Sequence, residues 1–131
     1  MIRYLIDTDI SVDHIRGRKY LPSEIISESA ISIINLAELL YGAYKSLNPK
    51  KNLHNIDELL GLGIEIKNIN IEVVDVYAQL KADLERTGQR LDEFDLLIGA
   101  CAKANALTLV TRNIKHFKRI KGLKLYKGED L

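Results

Sequence analysis

Two aspartates spaced one residue apart follow the first apolar stretch of the chain, in the sequence "YLIDTDIS". A short apolar run of this kind predicts a buried strand, so Asp7 and Asp9 would stand where that strand reaches solvent. Crowded carboxylates repel one another unless a cation holds them, so the pair raises the question of a metal site. Asp9 also fits the start of a helix, where a capping aspartate is favoured.

Three further acidic residues stand near predicted helix starts. Glu38 follows the second predicted strand by four residues, and a helical wheel turns it away from the apolar stripe of its helix. Asp92 and Asp95 open "DEFDLLIGACAKA" three positions apart and therefore share one helical face. Carboxylates suit Mg²⁺ or Mn²⁺, whereas the scattered histidines and the lone cysteine do not make a zinc set. Helix dipoles also favour acids in the first turn, which accounts for Asp92 without any metal.

The elements that would position these acids alternate along the chain. Short apolar runs predict five strands, at 2–6, 30–34, 64–69, 107–111 and 124–127. Helical periodicity predicts helices near 9–16, 22–28, 36–47, 50–61, 71–87 and 93–105. Asn35 and Asn70 are candidate N-caps, and Pro22 and Pro49 fit the first turns of two helices. The alternation predicts an α/β fold with a parallel sheet covered on both faces, and such sheets bind ligands beyond the carboxyl ends of their strands.

Length and composition favour one globular domain spanning 1–131. A chain of 131 residues is large enough to bury a core, and its 47% hydrophobic and 28% charged content is ordinary. No apolar run reaches the ~18 residues of a membrane span. The single cysteine, Cys101, excludes an internal disulfide and fits a reducing cytoplasm. Its surrounding run "LLIGACA" predicts a buried core position.

Charge is unevenly spread along the chain. The net charge is +1, yet eight Lys or Arg and no acid lie between Leu96 and Gly128, which leaves the remainder at −7. One region of the fold should therefore be basic and able to attract phosphates. A solvated lysine surface with no specific ligand explains the same residues.

Four segments, taken in order, resemble the PIN-domain ribonucleases of the VapC toxin type: "YLIDTDI", "INLAELLYGA", "DEFDLLIGACAKANALTLVTRN" and "HFKRIKGL". The resemblance runs from Tyr4 to Tyr126. It implies a PIN-like three-layer α/β fold, with a five-stranded parallel sheet flanked by helices, and a metal-dependent endoribonuclease activity. It also implies an RNA substrate, a homodimer and a cognate antitoxin protein that blocks the acidic cleft.

The same resemblance assigns roles to individual residues. Its three acids fall on Asp7, Glu38 and Asp95, which would hold Mg²⁺ or Mn²⁺ directly or through water. Polar positions beside the acids fall on Thr8, Thr111 and Asn113. The uneven charge of the chain, apart from the resemblance, predicts contacts to RNA phosphates from the basic segment, at Arg112, Lys115, Lys118, Arg119 and Lys121. Tyr41 and the apolar residues of the 50–61 helix offer a candidate partner surface, although core packing explains them equally well.

Two positions depart from the family pattern. His116 precedes Phe117 where a further aspartate is common, and Asp92 stands where a glycine is common. Asp92 is therefore a candidate fourth metal ligand. We expect His116 to stand outside the cluster, because a neutral imidazole is a poor exchange for a carboxylate beside a hard cation.

Three other readings of the sequence stay open at this point. "DTDIS" also resembles the start of haloacid-dehalogenase-type phosphatases, in which Asp7 would be a nucleophile and Asp9 an acid and base. Against that reading, the polar, helical stretch before Asp92 supplies no late strand to deliver a second acidic pair. A phosphoryl-receiver domain would need an aspartate after the middle strand, where "IEIKNIN" has none. A PIN-like module that binds partners without catalysis is the third alternative.

Overall fold

A five-stranded parallel sheet forms the middle layer of the protein. The structure is a computed structural model and describes residues 1–127, so the last four residues of the expected 1–131 domain lie outside the described part. The strands are β1 (Tyr4–Ile6), β2 (Ser29–Ser32), β3 (Glu65–Lys67), β4 (Thr108–Thr111) and β5 (Leu125–Lys127). Their order in the sheet is β3-β2-β1-β4-β5, and every neighbouring pair is parallel. All five predicted strands are therefore present.

Helices cover both faces of this sheet. They are α1 (Thr8–Ile15), α2 (Ser23–Ile26), α3 (Ile33–Lys45), α4 (Pro49–Gly61), α5 (Ile71–Arg86), α6 (Glu93–Ala104) and α7 (Ile114–Phe117). The predicted helices all form, and α7 is an addition, because its four residues are too few to produce a helical period. Within residues 1–127, no helix has the length and apolar character that crossing a membrane requires.

Two apolar cores form because consecutive strand residues point to opposite faces of the sheet. Leu5 and Leu109 point into the core beneath α5 and α6, which also contains the fully buried Cys101. Ile6 and Val110 point into the core beneath α1, α3 and α4. The central strand β1 is thus held on both sides, which gives its carboxyl end a rigid position.

Local details of three helix starts differ from the predictions. The N-cap of α3 is Ser32, and Asn35 is the third residue of the helix, where its side chain completes a capping box with Ser32. The prediction of Asn35 as N-cap is therefore wrong. Pro22 is the N-cap of α2 and stands just before its first turn, whereas Pro49 is in the first turn of α4 and Asn70 caps α5 as predicted.

The candidate partner surface on α4 is also wrong. Ile56 and Leu59 are 3% and 2% exposed and pack in the core beneath the sheet. On α3, by contrast, Tyr41 is exposed as expected, and Tyr44 and Leu47, which the helical pattern assigns to the core, are exposed as well. Tyr44 lies in the last turn of α3, and Leu47 follows the end of the helix at Lys45.

Candidate active site

Asp7 is fixed at the carboxyl end of the central strand. Its side chain is almost fully buried. The Thr111 hydroxyl, at the end of the neighbouring strand β4, donates to Asp7 Oδ2 at 2.7 Å, and the backbone N–H of Thr8 donates to Oδ1 at 2.9 Å. Thr111 is oriented in turn, because its oxygen accepts the backbone N–H of Asn113 at 2.9 Å. Asp7, not Asp9, is consequently the N-cap of α1.

A second line of hydrogen bonds connects Asp7 to Glu38. The Asn35 side-chain amide lies 3.5 Å from Asp7 Oδ1 and donates to Thr8 Oγ1 at 3.0 Å. The Thr8 hydroxyl then donates to Glu38 Oε1 at 2.6 Å. Because α3 begins at Ile33, Glu38 lies in its second turn rather than its first. Asn35 is therefore part of the site, a role that its prediction as a helix cap missed.

Burial gives Asp7 an unusual affinity for protons. The pKa of Asp7 is raised from 3.8 to about 7. Burial is the largest cause, the Thr111 and Thr8 hydrogen bonds oppose it, and the negative charges of Asp9 and Asp95 add to it. A nearby positive charge stabilises the ionised form of such a buried carboxylate more than that of an exposed one. Perturbed groups of this type are enriched at functional sites.

Asp95 lies in the first turn of α6 and in the same acidic environment. Burial raises the pKa of Asp95, and the charges of Asp92 and Glu38 raise it further, whereas His116 lowers it. The effect of His116 on Asp95 argues against the expectation that it stands outside the cluster, and the Mn²⁺ affinity of a His116→Asp variant tests it. Asp92 itself caps α6, accepting the backbone N–H groups of Phe94 and Asp95 at 3.2 and 3.4 Å.

We refer to Asp7, Glu38 and Asp95 together as the acidic edge. In the part of the chain that the structure describes, no group of three or more His, Cys, Asp or Glu side chains is close enough together to hold a metal ion directly. The donors nonetheless fit a hard divalent cation in kind, since all three are carboxylates. The charge of Asp95 raises the pKa of Asp7, and the charge of Glu38 raises the pKa of Asp95. Mg²⁺ keeps several of its waters, so a spacing wider than direct coordination is compatible with such an ion.

Asp9 has a role different from the helix cap expected for it. Its Oδ2 accepts the backbone N–H of Arg112 at 3.3 Å and lies 3.7 Å from the Arg112 Nε. Arg112 Nη1 lies 3.2 Å from Asp13 Oδ2, and Asp13 also pairs with Arg18. These contacts tie α1 to the chain that leaves β4. Arg112, expected at RNA phosphates, is therefore already partly neutralised by carboxylates.

The other predicted phosphate contacts follow α7 along the surface. Lys115, Lys118 and Lys121 are exposed, and Arg119 is half-buried. The Arg119 guanidinium donates to the backbone carbonyl of Arg90, two residues before the cap of α6. These bases thus begin beside the acidic edge and extend away from it.

The family model of the PIN domain matches residues 4–123. This chain belongs to the PIN-domain family. Among relatives, it is 38% identical over 126 residues to the ribonuclease VapC2 of Rickettsia felis, with 92% of this chain and 93% of the relative covered. It is 31% identical over 132 residues to the tRNA(fMet)-specific endonuclease VapC of Salmonella typhimurium, covering 95% and 97% of the two chains.

Solved structures resemble this PIN domain over nearly its whole length. A chain of the VapBC2 complex from Rickettsia felis, crystallised with a promoter DNA fragment, superposes with a TM-score of 0.88 at 38% identity and covers 96% of this chain and 98% of its own. A chain of DNA-bound VapBC from Salmonella typhimurium gives 0.87 at 29% identity, with coverages of 96% and 98%. The expected fold and family are confirmed.

Sheet order and family membership separate the alternatives. A receiver domain has the strand order 2-1-3-4-5, which differs from β3-β2-β1-β4-β5. The PIN family match argues against a dehalogenase-type phosphatase, and Asp9, its required acid and base, is instead engaged with Arg112. A PIN-like module without catalysis shares the fold and is distinguished by the experiments below.

Proposed function

We propose that this protein is a divalent-metal-dependent endoribonuclease of the VapC type and the toxin of a toxin–antitoxin pair. The observation that carries the proposal is the buried Asp7, fixed by Thr8 and Thr111 at the end of the central strand of a PIN domain. Relatives named as VapC ribonucleases or endonucleases, similar over more than nine-tenths of the chain, support the activity. PIN-domain nucleases of this type generally depend on a divalent metal, and we propose Mg²⁺ or Mn²⁺ for this one.

The acidic edge would hold the cation, directly or through water. When bound, a divalent cation supplies Lewis acidity toward the scissile phosphate and lowers the pKa of a bound water. Asp7 is the most rigid ligand, because hydrogen bonds engage both of its oxygens. Glu38 gives one oxygen to Thr8 and keeps the other for the cation or its water. Asp95 enters from α6, so the ligands come from three separate elements.

The remaining polar residues have supporting roles in this proposal. Thr8 and Thr111 keep Glu38 and Asp7 in one orientation, and Asn113 fixes Thr111 through its backbone N–H. The bases that follow β4 would hold RNA phosphates on either side of the cut, without reading sequence. Asp92 serves as a helix cap and raises the pKa of Asp95, which makes it a supporting residue rather than a fourth ligand.

Partners follow from the same relatives. Solved complexes that match this chain contain VapB together with VapC, so we propose a cognate antitoxin protein that covers the acidic edge. We also propose a homodimer and a cytoplasmic location, the compartment in which RNA and a reduced, buried Cys101 are both expected.

The test is cleavage of end-labelled RNA by the purified protein. We expect internal cuts with Mg²⁺ or Mn²⁺, complete loss with a chelator, and recovery when the metal is restored in excess. A simple phosphate monoester should not be hydrolysed. A non-catalytic PIN module would bind RNA or its antitoxin without cutting under any of these conditions, and that result would overturn the proposal.

A further inference from the structure

A basic groove lies at the end of α6 opposite Asp95. It has a volume of about 390 Å³ and is lined by four cationic side chains: Arg86, Lys103, Arg119 and Lys121. One carboxylate, Asp83, shares the lining, which leaves an excess of three positive charges. Asp83 pairs with Arg86 at 2.6 Å, so the positive charge of Lys103, Arg119 and Lys121 is the part left for a ligand.

Stabilisation of helix ends explains only two of the four cationic side chains in the groove. Arg86 and Lys103 stand in the last turns of α5 and α6, where a cation is favoured by the helix dipole. Arg119 and Lys121 come from the chain after α7 and have no such reason to be there. Within residues 1–127, no carboxylate lies within ion-pair distance of Lys103, Arg119 or Lys121.

Several contacts hold the groove together. Lys103 Nζ donates to the backbone carbonyl of Lys121 at 2.9 Å and lies beside Gly122. Gly122 has a φ of +77°, which turns the chain after α7 toward the end of α6. Gln89 lines the opposite wall, and its backbone N–H is bound to the Leu84 carbonyl at 2.8 Å. The bases therefore surround a concave surface formed by three segments.

Arg119 connects the groove to the loop before α6, because its guanidinium donates to the backbone carbonyl of Arg90. His116 is close enough to Asp95 to lower its pKa, and the backbone N–H of Arg119 donates to the His116 carbonyl at 3.2 Å. Arg119 therefore follows His116 by one turn and lines the groove. Along α6 the eight residues from Asp95 to Lys103 span about 12 Å at 1.5 Å per residue.

The geometry points to a second RNA-binding site in this groove, which holds the phosphates of the substrate several nucleotides away from the cut. The inference rests on the proposed ribonuclease function and adds Lys103 and Gln89 to the RNA path. Exposed ammonium and guanidinium groups bind phosphate oxygens, and the amide of Gln89 can hydrogen-bond to a ribose or base. An acidic protein would require apolar anchors as well, but Leu80 and Leu84 in the groove wall are each 5% exposed.

The test compares two double variants that remove the same charge. Lys103→Gln with Lys121→Gln removes two of the four cationic side chains of the groove. Lys50→Gln with Lys51→Gln removes two exposed lysines from α4, on the other face of the sheet. Both are made in full-length Asp7→Asn protein, so that binding is measured without cleavage. The probes are fluorescent single-stranded RNAs of about 3 and about 12 nucleotides, because single-strand sites on small folds cover ~4–16 nucleotides.

We expect the groove variant to lose about tenfold in affinity for the longer RNA at low salt, with little change for the shorter one. Its slope of log affinity against log salt should fall by about 1.4, at ~0.7 per lost phosphate contact with a single strand. The α4 variant should match the parent protein. Loss of the hydrogen bond from Lys103 to the Lys121 carbonyl could lower the Tm of the double variant. In that case the single variant Lys121→Gln replaces it, and half of the change in slope is expected.

Equal slopes for the two double variants would overturn the inference, as would equal loss of affinity for the two RNA lengths. Loss of binding to polyglutamate with unchanged RNA binding would make the groove a protein surface, which also overturns it. Failure of the proposed function is a separate result, because it requires that the unsubstituted protein with Mg²⁺ or Mn²⁺ leaves RNA of both lengths uncut.

Discussion

The acidic edge and the basic groove occupy opposite ends of α6 and are built in different ways. In the acidic edge, hydrogen bonds engage both oxygens of Asp7, which is only 6% exposed. In the groove, Lys103 and Lys121 are exposed at the surface. Chemistry on a phosphate needs groups held in one geometry, whereas attraction of a polyanion needs only charge density. Substitutions in the acidic edge should therefore change turnover, and substitutions among the bases should change affinity and its dependence on salt.

The largest effect is expected from Asp7→Asn. Asparagine keeps an oxygen for only one of the Thr111 and Thr8 hydrogen bonds and loses the charge that would hold a cation, so RNA cleavage should fall by about 10³-fold or more, equivalent to ~4 kcal/mol in the activation free energy. Asp57→Asn on the exposed surface of α4 is the control and should keep full activity. Circular dichroism shows whether each variant is folded. Cleavage by Asp7→Asn within tenfold of the unsubstituted protein would exclude the metal mechanism.

Glu38→Gln and Asp9→Asn separate the acidic edge from the acids around it. Glu38→Gln preserves the acceptor for the Thr8 hydroxyl and removes only charge, so we expect a loss of about 100-fold in cleavage. Asp9→Asn loosens the contact with Arg112 and should stay within about tenfold, or ~1.4 kcal/mol. The rates come from single-turnover cleavage of labelled RNA. The reverse ranking, together with hydrolysis of a phosphate monoester, would return the chain to the phosphatase reading.

Charge reversal at Lys115 and Lys118 tests whether the bases determine RNA affinity and its dependence on salt. Both lysines are exposed on the chain that leads from the acidic edge toward the groove. Lys115→Glu with Lys118→Glu should weaken RNA binding by about tenfold at low salt and lower the salt slope by about 1.4 or more, with a smaller change in the rate of the bound complex. Lys50→Glu with Lys51→Glu supplies the matched control. A salt slope identical to that of the control would mean that these lysines are solvated surface without a role in RNA binding.

Stability without metal should depend on pH through Asp7. The pKa of Asp7 is about 7 in the folded protein against an ordinary value of 3.8, so the folded state binds more protons than the unfolded state between about pH 4 and pH 7. The free energy of unfolding should therefore fall as pH rises through that window and level off above it. Asparagine does not ionise, so Asp7→Asn should have a higher Tm than the unsubstituted protein at about pH 8. Each kcal/mol moves the Tm of a domain of this size by roughly 4 °C.

Adding a metal ion should reverse this dependence of stability on pH. A cation binds the ionised carboxylate, so Mn²⁺ should raise the Tm more at about pH 8 than at about pH 5.5, and should do little to Asp7→Asn. Thermal unfolding followed by circular dichroism is sufficient. Equal stabilisation of the two proteins by Mn²⁺ would place the cation away from Asp7.

Sequence patterns predicted the elements of this fold better than their ends. The strands were identified because buried parallel strands are short apolar runs between polar segments. The start of α3 was missed because β2 leads directly into the helix, with no loop between Ser32 and Ile33. The spacing of Ser32 and Asn35 resembles a capping box and could have revealed it.

Contacts between distant parts of the chain were beyond the sequence. Asp9 and Arg112 are 103 positions apart, and no local pattern indicates that they meet. The groove is equally nonlocal, since Arg86 and Lys103 join the bases after α7 only when α5 and α6 pack together. The order of charged residues along the chain indicated that a basic surface exists, but its shape depends on tertiary packing.

The smallest effect is expected from substitution of His116, which lies between the two regions compared. His116 stands between the acidic edge and Arg119, and its positive form lowers the pKa of Asp95. His116→Asp would place a carboxylate oxygen there, so we expect Mn²⁺ affinity to rise by about three- to tenfold, or ~1 kcal/mol. RNA affinity should fall slightly, since the added negative charge lies beside the path to the groove. His116→Asn, which removes the imidazole without adding charge, is the matched control in titration calorimetry. If the Asp and Asn variants bind Mn²⁺ equally, position 116 does not reach the cation, and the site consists of three acids with His116 acting only on the pKa of Asp95.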